Sequence, residues 1–453
     1  MRVLISGATG FVGRKLVSRL VEGGHEVVAL SRNVEKARKV LSLPTAIFEW
    51  DGRSPVPSDS LRGIQAVVNL AGEGVAEKRW TAEQKRKILE SRVLGTRQLV
   101  QAVAKMSVAP EVFVSASAIG YYGDTGEKEA DETAAAGSDF LADVCKRWEA
   151  ELDVLTTRKV ILRTGVALGV DGGALHKLLP IFETGLGGPL GDGKQWMSWI
   201  HVDDLVSMYL WALHSPQVQG VFNAVAPTPV TNAAFTQDLA KVLQRPAFLP
   251  VPKFGLRLLM GEASTVVLAS QRIACVKAMK QGFPFQFSKL PQALRDLCGE
   301  GAVAVLEREQ FVGLPVEEIF PFFSDASNLE VLTPPWMGFR ILRSSTEKVG
   351  EGTLIDYRIK VRGVPMRWRT RIEQWVPNRC FVDTQLKGPY RYWHHTHTFI
   401  PVKGGTLMRD RVKYRLPAGS LGRLVAGRWV SKDVEKIFNF RFHKVDELFN
   451  RKQ

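Results

Sequence analysis

Unbroken apolar runs recur through the first half of the chain, and strictly alternating ones through the last third. RVLIS, EVVAL, AVVNL, VFVSA and KVILR are rich in Val, Ile and Leu without a polar alternate. That is the signature of parallel strands buried on both faces. Between them, FVGRKLVSRLVEGG and EQKRKILESRVLGTRQLVQAVAKM carry apolar residues at helical spacing. Strand–helix alternation over residues 1–240 predicts an α/β, Rossmann-like, doubly wound parallel sheet. Residues 241–298 turn helical (FGLRLLM, EASTVVLASQRIACVKAMKQG) and predict a small helical cap that extends the same module.

Around LCGEGAVAV, small residues predict a linker between Leu297 and Ala304, and beyond it the period changes. In TLIDYRIKVRG, Ile355, Tyr357, Ile359 and Val361 alternate with Arg358, Lys360 and Arg362. MRWRTRIEQW and TLMRDRVKYRL repeat the alternation, as antiparallel strands with one wet face do. Near the C-terminus Val425, Trp429, Val434, Phe438, Phe442, Val445 and Phe449 recur at helical spacing. Residues 303–453 are therefore expected to form a separate α+β domain.

Composition narrows the setting. A chain of 453 residues is too long for one ordinary core. No apolar run reaches the roughly 18 residues of a membrane span, and the N-terminus enters a strand at once, with no leader pattern. Cys145, Cys275, Cys298 and Cys380 are scattered, with no CxxC pair, which predicts a reducing, cytoplasmic setting. The net charge of +15 divides unevenly, +5 over residues 1–300 and +10 over 301–453. That asymmetry points to an acidic partner for the second module.

The candidate chemistry begins at SGATGFVG. Gly7, Gly10 and Gly13 follow a strand and open a helix, where a turn must be tight and backbone must approach a pyrophosphate. The helix N-terminus then offers free N–H groups to phosphate, so the turn, with Thr9, Phe11 and Val12, is the expected cofactor cradle. NAD sites place a carboxylate at the end of the second strand; VVALSRN has Ser31 and Arg32 there. A guanidinium suits a 2′-phosphate, and the expected cofactor is NADP(H).

GATGFVG, LSR, NLAGEGVAEKRW, ESRVLGT, SASAIGYYGD, GLGGPLGDGKQWMSWIHVDDL and FNAVAP together make residues 1–296 resemble an extended short-chain dehydrogenase/reductase. More narrowly, they resemble its epimerase-like, NADP-binding branch with a helical C-terminal extension. The resemblance implies that Leu70, Ala71 and Gly72 lie along the cofactor, that Arg92 contacts it, and that Asp51 reaches toward the adenine. It also implies a Ser followed by Tyr-x-x-x-Lys on the next helix. Ser117 fits the first place. In DFLADVCKRWEAEL, aligning on Lys146 puts Ala142 at the tyrosine position, and aligning on Glu149 puts Leu141 there. Tyr121 or Tyr122 is then either a substitute acid or cleft-wall packing. Lys146 is either the ribose contact or a surface charge, and His201 either titrates in the cleft or is an ordinary hydrogen-bonded histidine. GLGGPLGDGKQW is expected to be a mobile loop able to close over a substrate.

VLEREQFVGLPVEEIFPFFSDASNLEVLTPPW resembles the opening of START-like, polyketide-cyclase-type (SRPBCC) ligand domains, which implies a helix-grip fold around an apolar cavity. Trp336, Phe339, Trp368, Trp375, Trp393 and Phe399 are candidate lining residues. Arg358, Lys360, Arg362, Arg367, Arg369, Arg371, Arg409, Arg411, Lys413 and Arg415 would form a cationic face, either solvated or turned to an anionic membrane or acidic partner. No nucleic-acid motif accompanies it. His395 and His397 share a strand face, but with no carboxylate at matching spacing no metal is expected. These features predict an NADP(H)-dependent oxidoreductase or epimerase-like enzyme, with a small-molecule substrate, fused to a hydrophobic-ligand domain. The alternatives are a non-catalytic NADP(H)-responsive scaffold, as for relatives associated with plastid division, and a lipid or aromatic-ligand carrier.

Overall fold

A computed structural model describes residues 1–41, 43–299, 303–416 and 419–450, the side chains of 419–428 excepted. The first sheet is built from β1 (Arg2–Ser6), β2 (Glu26–Ser31), β3 (Thr45–Glu49), β4 (Ala66–Asn69), β5 (Val112–Ala118), β6 (Arg158–Thr164) and β7 (Gly220–Ala224). All seven are parallel, in the order β7-β6-β5-β4-β1-β2-β3. Val3, Leu4, Ile5, Val67, Val68, Phe113 and Val114 are fully buried, as unalternating apolar strands require when helices cover both faces. The order reverses between β1 and β4, and the strands' carboxyl ends there form the crevice in which such sheets bind ligands.

The helices that matter for the site are capped by their own sequence. α1 (Phe11–Glu22) starts at Gly10; α2 (Ala82–Ala104) is capped by Thr81, whose hydroxyl accepts from the Gln84 N–H. α3 (Phe140–Ala150) is capped by Asp139, and α4 (Val202–His214) by His201, whose Nδ1 accepts from the Asp203 N–H at 3.1 Å. Asp204 accepts the N–H groups of Gln286 and Phe287, both at 2.9 Å, fastening the C-terminal extension to α4. The histidine of SWIHVDDL is thus hydrogen-bonded through Nδ1, with its Nε2 3.5 Å from Asp296 Oδ2.

Two expectations change here. The extension is not continuously helical: its helices cover Lys253–Met260, Thr265–Leu268, Val276–Lys280 and, as α5, Leu290–Cys298. Residues of SQRIAC run extended because other backbone claims them. The Gln271 N–H donates to Trp196 O, the Ile273 N–H to Ser198 Oγ, and the Ala274 N–H to Ala130 O. The glycine loop is also tied down. Gly191 N–H donates to Val251 O, Val251 N–H to Pro189 O, and Leu190 N–H to Asn232 Oδ1. A Cβ on Gly188 would sit 1.7 Å from Leu249 O, so this glycine serves close backbone approach rather than motion.

The second sheet is antiparallel: β8 (Ala304–Val312), β9 (Arg340–Ser344), β10 (Leu354–Val361), β11 (Val364–Val376), β12 (Cys380–Lys387), β13 (Tyr392–Val402) and β14 (Gly405–Arg415), ordered β8-β14-β13-β12-β11-β10-β9. α6 (Gly419–Val445) lies against it through Val434, Phe438 and Val445. Of the expected stripe, the Val425 side chain lies outside the described residues. Trp429 is 58% exposed. The linker's centre, 300–302, also lies outside them.

Part of the cationic face is spent within the chain. Arg409 pairs with Glu22 of α1 and with Glu309, and Arg411 with Glu307 and Asp296. Lys403 pairs with Glu26, and Lys15 with Glu307 at 3.7 Å. Acidic groups of the first module thus meet the basic edge of the second. Among the described residues, no helix is long and apolar enough to cross a membrane.

Candidate functional site

The β1–α1 turn has no room for side chains. Gly7 has φ +75°, and a Cβ on it would lie 2.8 Å from the Leu70 carbonyl carbon; one on Gly13 would lie 2.2 Å from Gly7 O. Gly10 N–H closes the turn onto Gly7 O at 3.0 Å. Thr9 and Val12 are half-buried beside it, and Phe11 packs its ring under Gly169 and Gly172. The turn leads directly into α1, whose first N–H groups, like those of any helix, lack intrahelical acceptors.

The other residues expected at the cofactor end or follow the neighbouring strands β2, β3 and β4 or stand on α2. Ser31 Oγ accepts the Asn33 N–H at 3.3 Å, leaving Arg32 exposed at the end of β2, with no ion pair to it among the described residues. Asp51 Oδ1 accepts the Arg53 N–H, the Ser54 N–H and the Ser54 hydroxyl, each at 2.8 Å, which holds its carboxyl down to about 2. Leu70 N–H donates to Ser6 O, setting Leu70, Ala71 and Gly72 along the edge of the turn. The Arg92 guanidinium covers Gly72, donates to Glu73 O at 2.9 Å and stacks 5.3 Å from the Trp148 ring. Burial pushes its pKa down, and no carboxylate pairs with it among the described residues. A half-buried cation with no carboxylate bonded to it among the described residues suits an anionic ligand.

Next to the cleft, Ser117 Oγ donates to Glu149 Oε1 at 2.6 Å. Glu149 is held by Arg163 of β6, through Nε at 2.9 Å and Nη2 at 2.7 Å. Arg163 Nη1 also donates to the Tyr122 hydroxyl at 3.0 Å, which donates on to Asn223 Oδ1 at 2.7 Å. The guanidinium carbon lies 3.3 Å from the centre of the Tyr121 ring. Tyr122 is buried and its pKa raised by burial; Tyr121 is half-buried above the arginine. Lys146 does not join this network. It is exposed on α3, while Cys145 faces β5, with Sγ 3.7 Å from Ala118 O and a thiol pushed up to about 11 by burial. The packed register of α3 is thus the one in which Glu149, not Lys146, meets Ser117.

In the second module the sheet and α6 enclose a cavity of ≈ 910 Å³. Trp336, Phe339, Trp368 and Trp393 line it as expected. Trp375 and Phe399 instead pack around Phe320 at one end of the core. The lining is mainly aromatic and aliphatic, with Asp325, Lys360, Arg362, Asp433 and Lys436 also on it, and it carries Asp383, His395, His397 and Arg441 as one ionic group.

Family models match the chain in succession: the NAD dependent epimerase/dehydratase family over residues 3–142 and 173–224, a domain of unknown function (DUF1731) over 251–297, and the polyketide cyclase/dehydrase and lipid transport family over 312–440. A chloroplastic SDR39U1 homologue of the epimerase family from Arabidopsis thaliana is 42% identical over 309 residues, 65% of this chain and 86% of that one. The chain belongs to the epimerase family. Another member, YfhF of Bacillus subtilis, is 36% identical over 66% of this chain and 99% of its own. The solved structure of the human epimerase family protein SDR39U1 with NADPH aligns at TM-score 0.60 and 33% identity, covering 66% of this chain and 99% of that one. The UDP-glucuronic acid 4-epimerase of Bacillus cereus, at 18% identity and TM-score 0.53, shares the fold.

Within this epimerase-family module, sequence reasoning passed over Glu149, Arg163 and Asn223. Arg163 had a signal: a charge inside the apolar run KVILR, flanked by buried strands, needs a partner. Its partner lies 14 positions away on a helix, and Asn223 on the next strand, so neither spacing marks them. Sequence spacing likewise does not reveal that carboxylates stand beside His395 and His397, on neighbouring strands.

Proposed function

We propose that this epimerase-family protein binds NADP(H) at the β1–α1 turn, with Arg32 on the 2′-phosphate, and holds an apolar or aromatic small molecule in the cavity of its second module. In this reading residues 1–240 bind the nucleotide, 241–298 extend that module, and 303–453 form the ligand domain. The observation that carries the nucleotide half is the close-packed glycine turn with Arg32, unpaired among the described residues, where an acid would stand at the end of β2. The human relative solved with NADPH supports it. Four free cysteines suit a reducing, cytoplasmic compartment, and the exposed Arg358, Arg367 and Arg371 suit an anionic surface. Calorimetric titration tests the core of the reading: NADPH binds, NADH binds at least about tenfold more weakly, and Arg32→Ala removes the difference. Equal binding of both nucleotides by the parent protein would sink the NADP(H) assignment.

Hydride chemistry on the substrate is the leading activity in this reading, with Ser117 polarising the substrate oxygen and Tyr121 as the substitute acid. The scaffold reading has a specific observation behind it: the Ser117 hydroxyl is donated to Glu149, so it is engaged rather than offered to a substrate oxygen. Ser117→Ala and Tyr121→Phe separate the two. If the protein turns over a substrate with NADPH, each variant is expected to lose about a hundredfold in kcat with NADPH affinity unchanged. Full turnover in both would remove these residues from the chemistry.

A further inference from the structure

The cavity floor of the second module holds an arrangement that ligand binding by aromatic walls does not need. His395 and His397 stand two residues apart on one face of β13; Asp383 of β12 is opposite His395, and Asp410 of β14 opposite His397. Asp383 Oδ2 lies 3.3 Å from His395 Nδ1 and 2.9 Å from His397 Nε2. Each of the three residues offers a ligand atom within 4.8 Å of the other two, and all three line the cavity. On the far side, a single oxygen of Asp410 lies 3.0 Å from both His395 Nε2 and His397 Nδ1. Arg441 from α6 stands behind, 3.5 Å from Asp410 and 3.1 Å from His397 Nδ1. The histidines are only 5% and 4% exposed.

We infer that Asp383, His395 and His397 form a binding site for a divalent transition-metal ion of the zinc class, open toward the cavity. Bonds of about 2.0–2.2 Å to such an ion set its ligand atoms about 3–3.5 Å apart, the separations seen here between carboxylate and imidazoles. Two imidazoles and one carboxylate are a known donor set for zinc and for non-haem iron, and each leaves coordination positions free. Asp410 fills the supporting role for His395 through Nε2, while His397 Nδ1 faces both Asp410 and the Arg441 guanidinium and would carry its proton toward Asp410 once Nε2 binds the ion. Charge points the same way. With neutral imidazoles the cluster sets two buried carboxylates against one fixed cation, Arg441, and a divalent ion on the cavity side offsets the excess. A proton on one imidazole would offset it as well, and metal titration tells these apart. The bound ion would present a Lewis acid to a carbonyl or phenol oxygen of an otherwise apolar ligand, which deepens the cavity half of the proposed function.

The test uses the full chain after chelator treatment, titrated with Zn²⁺ by calorimetry and with Co²⁺ by visible absorption. One saturable equivalent is expected, with a Co²⁺ spectrum showing nitrogen ligation. His395→Ala/His397→Ala is expected to lose it, and Asp410→Asn, a positioning change, to weaken affinity by about 10–100-fold. Asp203→Asn, in a second His/Asp group around His201, leaves it unchanged. Absence of saturable binding in the parent chain overturns the site, as does undiminished binding in the double variant. If the double variant does not fold, Asp383→Asn decides, since it keeps the side-chain shape; unaltered affinity there overturns the site too. Metal binding without uptake of any apolar ligand would leave the metal site standing and reject the ligand reading alone.

Discussion

Gly13→Ala is expected to weaken NADPH binding about a hundredfold while the chain still folds. The new methyl group would sit 2.2 Å from Gly7 O and 2.8 Å from Ala8 Cα and O, all backbone atoms that cannot rotate away. Helix α1 must therefore back off from the turn, which costs about 1–3 kcal/mol of stability, as overpacked sites do. The same shift withdraws the helix N–H groups from the pyrophosphate. Losing two charge-assisted hydrogen bonds, at about 1.5 kcal/mol each, gives the expected factor in affinity. Gly10→Ala is the internal control. Its methyl group would approach the same Gly7 oxygen only to 3.2 Å, so its effect should be distinctly smaller. Calorimetry on the two variants checks the order. Equal NADPH affinity in both would mean that the nucleotide does not lie on this turn.

Arg163→Met is expected to cost the first module about 3–5 kcal/mol, the loss expected when one partner of a buried ion pair is removed. The Arg163 and Glu149 side chains are 5% and 12% exposed and joined by two hydrogen bonds, so the carboxylate left behind is largely cut off from water. The arginine also supports the Tyr122 hydroxyl and lies flat under Tyr121, so the loss reaches the floor of the cleft. Pairing it with Glu149→Met should restore most of the stability, because two apolar side chains leave no stranded charge. Urea unfolding of the single and double variants reads both numbers. A single variant as stable as the parent would show the pair to be solvated in solution.

Both variants probe features that differ in how plainly the chain announces them. The glycine turn is local: β1, the three glycines and α1 are contiguous, and backbone sterics alone dictate their residue types. The same holds for the sheets. Unalternating apolar runs specify strands covered on both faces, and period-two runs specify strands with one wet face, so the α/β module and the antiparallel module could be told apart from sequence. The short extended stretch through Gln271 and Ile273 escaped, because its conformation is set by hydrogen bonds to Trp196, Ser198 and Ala130 rather than by its own pattern. The tethered glycine loop escaped in the same way. Its glycines admit both motion and close contact, and only the neighbouring backbone of Leu249 and Val251 decides for contact.

What the sequence determined by itself, then, was whatever one segment can dictate through its own sterics and periodicity: the two architectures, the glycine turn, and arginine in place of an acid after β2. What only the tertiary structure decided was which distant polar groups share a buried space. Ser117, Glu149, Arg163 and Asn223 come from four elements, and Asp383, His395, His397, Asp410 and Arg441 from three strands and a helix. Their charges need partners because they are buried, and burial is a property of the folded whole. No spacing along the chain encodes it.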